Sequence, residues 1–395
     1  MNLKIMGSAL IIAGTALGAG MLAIPMVLAQ FGLLWGTLLM LIIWSGTTYA
    51  ALLLLEASIK AGGGLSMNTI ARKTLGKGGQ VVTNGLLYAL LVCLLMAYII
   101  GAGDLVKKMA ASAGLELTML QTQVAFTLIA GVVVAAGTAV VDKLNRVLFG
   151  MMLVVLVMTL FSLVPSISME NLLTVTSDSK VDLIKTSSVL FTSFGFMVVI
   201  PSLVTYNEGA SQKQLRNMVV IGSIIPLFCY LLWLYAAVGN LTSEQLVHFA
   251  NVSELIAALG TKYSSIHTIL SVFTGLALLT SFLGVAMSLY HQNEDAFKQN
   301  RVVTYVLTFI FPLIGALLAA DQFLAVLGYA GIILVFLAIF VPMAMTVKVR
   351  QQDNDQIQLQ AAQTAEGMLY QASGGNIALG LSFLFGCFLL MAQVI

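Results

Sequence analysis

Long apolar stretches recur along the whole chain, separated by short segments that hold most of the polar and charged residues. A helix needs about 20 apolar residues to cross a bilayer, within a range of about 17–25. Eleven stretches come near that length: 5–30, 33–58, 80–103, 120–140, 145–165, 186–207, 215–239, 265–291, 302–319, 323–347 and 375–395. Membrane β-strands would be roughly half as long. The pattern therefore predicts an all-α integral membrane protein with 11 transmembrane helices. The first stretch continues to Leu28, well past the apolar region of about 7–15 residues of a signal peptide, so it reads as a retained span.

An internal repeat organises these spans. Gly20-Met21-Leu22-Ala23-Ile24-Pro25 in span 1 matches Phe196-Met197-Val198-Val199-Ile200-Pro201 in span 6 at an offset of 176 residues, and the same offset carries spans 2 to 5 onto or near spans 7 to 10. An odd number of spans per unit forces the second unit to insert upside down, the pattern of an inverted-repeat transporter. The predicted divisions are 1–165 for the first repeat, 166–185 for an outer loop, 186–347 for the second repeat, 348–374 for a polar cytoplasmic loop and 375–395 for an appended span 11.

Both repeat-leading spans carry helix breakers. Span 1 has Gly14, Gly18, Gly20 and Pro25; span 6 has Gly195 and Pro201. Glycine in a helix interior costs roughly 1 kcal/mol and proline about 3. Unpaired backbone at membrane depth is tolerated only where it lines a cavity or packs on protein. Paired breaks thus predict a polar site near the midplane, where freed N–H groups meet a carboxylate and freed carbonyls meet a cation. Close helix packing through Gly14 and Gly18 is the alternative for span 1 alone.

Composition narrows the function. Apolar residues make up 59% of the 395 and charged ones 9%, against about 25% charged in a soluble domain, which excludes a soluble enzyme and a disordered chain. The net charge of +2 offers no field for nucleic acid. With the N-terminus inside, 13 of the 18 Lys and Arg fall in cytoplasmic segments; Lys107, Lys108, Lys180, Lys185 and Lys262 fall outside. That bias predicts a cytoplasmic N-terminus and a periplasmic C-terminus. No Lys or Arg lies inside a span away from its ends, and of the acidic residues only Glu56 and Asp104 touch span ends, where both read as interfacial. A core nearly free of charge predicts a substrate neutral overall, such as a zwitterion.

Other motifs carry no chemistry. Cys93, Cys229 and Cys387 sit in apolar runs and read as small hydrophobes. Gly101-Ala102-Gly103-Asp104 has the form of an intramembrane aspartyl protease motif, but no second aspartate lies at membrane depth. His248, His267 and His291 lie near loops or span ends, and the Gln-rich stretch 351–363 reads as a linker. No enzyme motif, cofactor site or obligate protein partner is evident.

Several segments together resemble the hydroxy and aromatic amino acid permease family: Gly14-Thr15-Ala16-Leu17-Gly18-Ala19-Gly20-Met21-Leu22, Ala97-Tyr98-Ile99-Ile100-Gly101-Ala102-Gly103, Phe191-Thr192-Ser193-Phe194-Gly195-Phe196, Thr280-Ser281-Phe282-Leu283-Gly284-Val285 and Leu327-Gly328-Tyr329-Ala330-Gly331. The resemblance implies a symporter of the bacterial inner membrane with a leucine-transporter-like fold, importing an aromatic amino acid such as tyrosine. Carried over, it puts the Gly18 and Gly20 N–H groups and the Tyr98 hydroxyl at the substrate carboxylate, with Thr15 beside them. Carbonyls around Phe191 and Ser193 would take the ammonium, and Met21, Phe191, Phe196 and Met197 would wall the ring. Each aromatic or methionine taken alone reads as readily as helix packing.

Two departures bear on this. Met152 stands where the family usually has a span-5 lysine, and Met197-Val198 where it tends to have His-Gly. In sodium-coupled members of the fold a cation sits between spans 1 and 8, which here implies the carbonyls of Gly14, Leu17 and Ala277 and the hydroxyls of Thr280 and Ser281. Without the lysine, sodium is the expected coupling ion and the proton the alternative. An uncoupled facilitator, a channel and a non-transporting sensor are the competing functions; a channel should show a continuous polar stripe, and none is seen.

Overall fold

A computed structural model of the chain describes residues 3–63, 65–242, 244–246, 249–261, 264–297, 300–319, 322–360 and 370–393. The expected positions His248, Lys262 and Lys298 lie outside the described residues. The helices are α1 (Leu3–Ala16), α2 (Gly20–Leu28), α3 (Gly32–Lys60), α4 (Met67–Ser112), α5 (Met119–Ala135), α6 (Thr138–Leu163), α7 (Met169–Leu173), α8 (Lys180–Lys185), α9 (Ser187–Ser193), α10 (Ile200–Tyr206), α11 (Gln212–Val238), α12 (Val252–Leu259), α13 (Ser264–Phe297), α14 (Arg301–Tyr305), α15 (Phe311–Ala319), α16 (Phe323–Val335), α17 (Val341–Gln360) and α18 (Gly375–Met391). Wide π-type turns, Val306–Ile310 and Phe336–Phe340, join α14 to α15 and α16 to α17. Among the described residues eight helical runs are long and apolar enough to cross a membrane, and Leu3–Ala16, Met119–Ala135 and Gly375–Met391 are shorter apolar helices.

Local chemistry sets the helix ends. The Ser66 hydroxyl accepts the Thr69 N–H at the start of α4, and Thr118–Gln121 and Ser211–Gln214 form reciprocal caps on α5 and α11. The third span is longer than its apolar stretch: α4 begins at Met67 and bends at Gly76, whose φ of 76° only glycine adopts readily. The tenth also overshoots, because α17 runs on into the Gln-rich linker as far as Gln360.

α1, α2, α3, α9, α10 and α11 pack together on one side, and α4, α5, α6 and α13 on the other; α16 and α17 touch both groups. At one end of the first group the Asn207 amide donates to the Ser8 hydroxyl at 2.7 Å, tying α1 to the residue after α10.

Both acidic residues at the span ends are buried within the protein. Glu56 is 0% exposed; its carboxylate accepts Arg350 Nε and Nη2 at 2.8 Å each and the Ala372 N–H at 2.8 Å, with Lys60 Nζ at 3.1 Å. Asp104 accepts the Ser253 N–H at 2.9 Å and its hydroxyl at 2.8 Å, at the first turn of α12. Each carboxylate holds a later segment of chain onto an earlier span, a role that span-end position alone does not reveal.

The end of the molecule that holds Gln30 is closed by connecting segments. Thr176 and Ser177 donate their N–H groups to the Gln30 carbonyl at 2.9 and 3.0 Å. The Thr176 hydroxyl donates to the Leu246 carbonyl, and the Phe249 N–H reaches the Met26 carbonyl at 3.3 Å.

Candidate substrate site

The first span is interrupted between α1 and α2, leaving Leu17, Gly18 and Ala19 outside either helix. The sixth is interrupted after α9: Phe194 and Gly195 leave the helical path, and a short tight turn over Phe196–Val199 leads into α10. Gly18 and Phe194 are 176 residues apart, the offset of the sequence repeat.

Side chains stitch the two interruptions together. The Ser193 hydroxyl donates to the Gly20 carbonyl at 2.8 Å. From α13 the Ser281 hydroxyl accepts the Ala19 N–H at 3.0 Å. From α11 the Tyr230 hydroxyl lies 2.6 Å from the Ala16 carbonyl and 2.7 Å from the Ser193 carbonyl, so one proton is shared by the last carbonyl of α1 and the last of α9. Backbones approach closely too: a Cβ on Gly20 would lie 2.9 Å from Ser193 Cα, and one on Gly18 would lie 2.5 Å from Ser281 Oγ. The Gly18 N–H finds no acceptor among the described residues and remains available to a ligand.

These interruptions line a cavity of about 1550 Å³ whose walls also include Arg146. Among the expected site residues, Gly14, Thr15, Leu17, Gly18, Gly20, Tyr98, Ser193, Thr280 and Ser281 line it. The Tyr98 hydroxyl lies beside the Ser281 side chain, so spans 3 and 8 meet at the break of span 1. Met21, Phe191, Phe196, Met197 and Ala277 do not line it; all five are 0–1% exposed and serve as packing. Phe191 meets Phe385 of α18 edge-on at 6.1 Å. An aromatic residue at a helix break has no direction in the sequence, and here the helix turns these rings into the protein.

The span-8 oxygens expected around a cation have partners of their own. Thr280 Oγ1 donates to the Leu276 carbonyl at 2.8 Å, with the Ala277 carbonyl at 3.2 Å. Met152, fully buried, sets its sulfur 3.9 Å from the same hydroxyl. Position 152 therefore does face span 8. Among the described residues no cluster of three or more His, Cys, Asp or Glu gathers anywhere. The sequence reading missed Tyr230, a lone polar tip in an apolar helix, and a set of Asn and Gln side chains toward the mouth of the cavity.

The sequence pattern of the tryptophan/tyrosine permease family matches residues 1–393. This chain belongs to that family. It is 58% identical over 394 residues to "Glutamine transporter 2" of Aliivibrio fischeri, covering all of both chains. It is 35% identical over 396 residues to "Tyrosine-specific transport system 1" of Haemophilus influenzae, covering 97% of this permease and 94% of that protein. In structure the permease is similar to Mhp1, a nucleobase-cation-symport-1 family transporter in a closed conformation with bromovinylhydantoin bound. That likeness has a TM-score of 0.62 at 17% identity and covers 99% of this chain and 90% of that one. The leucine-transporter-like fold is thus shared, and the chain belongs to a bacterial family of multi-pass transporters.

Proposed function

We propose that this permease is a secondary transporter of the bacterial inner membrane that moves a zwitterionic amino acid by alternating access, with glutamine as its substrate. The observation that carries this reading is the chemistry of the cavity at the breaks. Thr15, Tyr98, Thr192, Ser193 and Ser281 line it among Leu17, Val198, Val199, Leu327 and Leu334, and among the described residues no Asp, Glu or Lys does. A zwitterion with an uncharged side chain suits those mixed walls. The 58% identity to a protein named as a glutamine transporter supports the same choice. Tyrosine is the second reading, supported by the family and by the 35% identical tyrosine-specific system.

The carboxylate meets the Gly18 N–H and the ammonium meets carbonyls of the span-6 break. The distribution of Lys and Arg supports a cytoplasmic N-terminus, a periplasmic C-terminus and an Arg146 end of the cavity on the cytoplasmic side, so on this reading the conformation faces inward. Sodium is the coupling ion of this reading, held by Gly14, Leu17, Ala277, Thr280 and Ser281 once Thr280 releases its own carbonyls; proton coupling is the alternative outcome. The deciding experiment is uptake of labelled glutamine, tyrosine, phenylalanine and tryptophan into proteoliposomes, with sodium and pH gradients imposed separately. Glutamine uptake saturating at lower concentration than tyrosine uptake is expected. Tyrosine uptake without glutamine uptake would overturn the substrate.

A further inference from the structure

The breaks of spans 1 and 6 strand two carbonyls. In unbroken helices the Ala16 and Ser193 carbonyls would accept the N–H groups of Gly20 and Met197, four residues on. α1 ends at Ala16 and α9 at Ser193, and neither bond forms. A buried acceptor left without a donor is costly. Both carbonyls instead receive the Tyr230 hydroxyl, at 2.6 and 2.7 Å, and among the described residues no other side chain donates to either.

Tyr230 stands behind the breaks. It is 0% exposed and does not line the cavity. Its ring meets Phe194, the first residue past α9, edge-on at 5.0 Å. Tyr230 therefore acts on a substrate only through the backbone it holds. A hydroxyl has one proton, so both carbonyls stay satisfied only while they reach the same point. That point belongs to a third helix, α11. Either broken span that shifts against the other gives up its share of the bond.

On the reading proposed above, the substrate touches both breaks: its carboxylate meets span 1 and its ammonium meets span 6. These two groups sit at a fixed spacing on one amino acid, so the breaks have to be held at a matching one. We propose that Tyr230 is a positioning residue, whose shared proton sets the two breaks at the spacing of a zwitterionic head. The inference rests on that two-ended reading. A ligand that engages one break alone has no need of this setting, and that separates positioning from plain support of the fold.

Ligand binding to the full-length protein in nanodiscs tests it. The ligands are glutamine, its des-amino analogue glutaramate, and the amine that decarboxylation of glutamine gives. Each analogue keeps the carboxamide side chain and one end of the head. Wild type is expected to bind all three, glutamine most tightly. Tyr230→Phe is expected to weaken glutamine binding about tenfold, the worth of one hydrogen bond, and to leave both analogues within twofold. Unchanged glutamine binding overturns the proposal. So does an equal loss for all three ligands, since Tyr230 would then support the structure and nothing more. Should Tyr230→Phe fail to fold, Phe194→Leu takes its place, because it loosens the ring and keeps the hydroxyl; the same selective loss supports the proposal and equal losses overturn it. Wild type that binds glutamine and neither analogue also overturns it, since neither break then takes one end by itself. Wild type that binds tyrosine and not glutamine overturns the substrate reading alone, and the same comparison is then scored with tyrosine and its two analogues. Binding of no amino acid overturns the transporter reading, and this inference with it.

Discussion

Gly18 and Gly20 sit two residues apart, yet a methyl group meets different obstacles at each. At Gly20 it would lie 2.9 Å from Ser193 Cα, an atom that moves only if α9 moves. At Gly18 it would lie 2.5 Å from Ser281 Oγ, the end of a side chain that can rotate away at the loss of the Ala19 hydrogen bond. Gly20→Ala is expected to abolish uptake with or without Ser193→Ala. Gly18→Ala is expected to lose about tenfold, equivalent to roughly one hydrogen bond of 0.5–1.5 kcal/mol, and to recover partly in combination with Ser281→Ala. Initial uptake rates at matched expression check both. Tyr230→Phe leaves the Ala16 and Ser193 carbonyls without their shared proton, so it should lower stability by about 1–3 kcal/mol, read as a fall in melting temperature in detergent. The breaks were legible in the sequence because glycine and proline act on their own backbone. Tyr230 and the turn of Phe191 away from the cavity were not, since each depends on which helix lies opposite.

Among the elements, the segment before α18 is held by a buried carboxylate. Glu56 takes two bonds from Arg350 and one from the Ala372 N–H, and the Tyr49 hydroxyl donates to the Ser373 carbonyl at 3.1 Å. Removing one partner of a buried ion pair costs about 3–5 kcal/mol. Lys60 stays beside Glu56, so Arg350→Ala should fall at the lower end of that range. The Arg146–Asp142 pair is 78% and 56% exposed, so Asp142→Ala should cost less than about 1 kcal/mol. Thermal denaturation of the two variants in one detergent compares them, and equal shifts would contradict the assignment. Span lengths were readable from apolar runs. The extension of α4 and α17 beyond the apolar stretch was not, because a helix that leaves the lipid no longer needs apolar residues to continue.

For the molecule as a whole, coupling depends on whether the span-1 and span-8 oxygens can turn toward one ion. Uptake driven by a sodium gradient at constant pH is expected in wild type and is expected to be lost in Thr280→Ala, Ser281→Ala. Sodium-independent uptake by wild type would remove sodium from the cycle. Met152→Lys brings an ammonium to the buried position now 3.9 Å from the Thr280 hydroxyl; it is expected to abolish sodium dependence, measured in the same assay. The spacing of 176 residues between the two breaks was visible in the sequence as a repeat of six residues, whereas the end at which the cavity opens was not, since both ends share one sequence.

The closure at the Gln30 carbonyl also sets a population. For the cavity to open at that end, the Thr176, Ser177 and Phe249 N–H groups must exchange protein carbonyls for water. Each such exchange costs about 0.5–1.5 kcal/mol, so three amount to roughly 2–4 kcal/mol. A conformer raised by that much is occupied roughly 0.1–3% of the time without ligand. If the protein works by alternating access, substrate arriving from the Gln30 side is expected to bind a minority form, with an apparent affinity lowered in proportion to that form's scarcity.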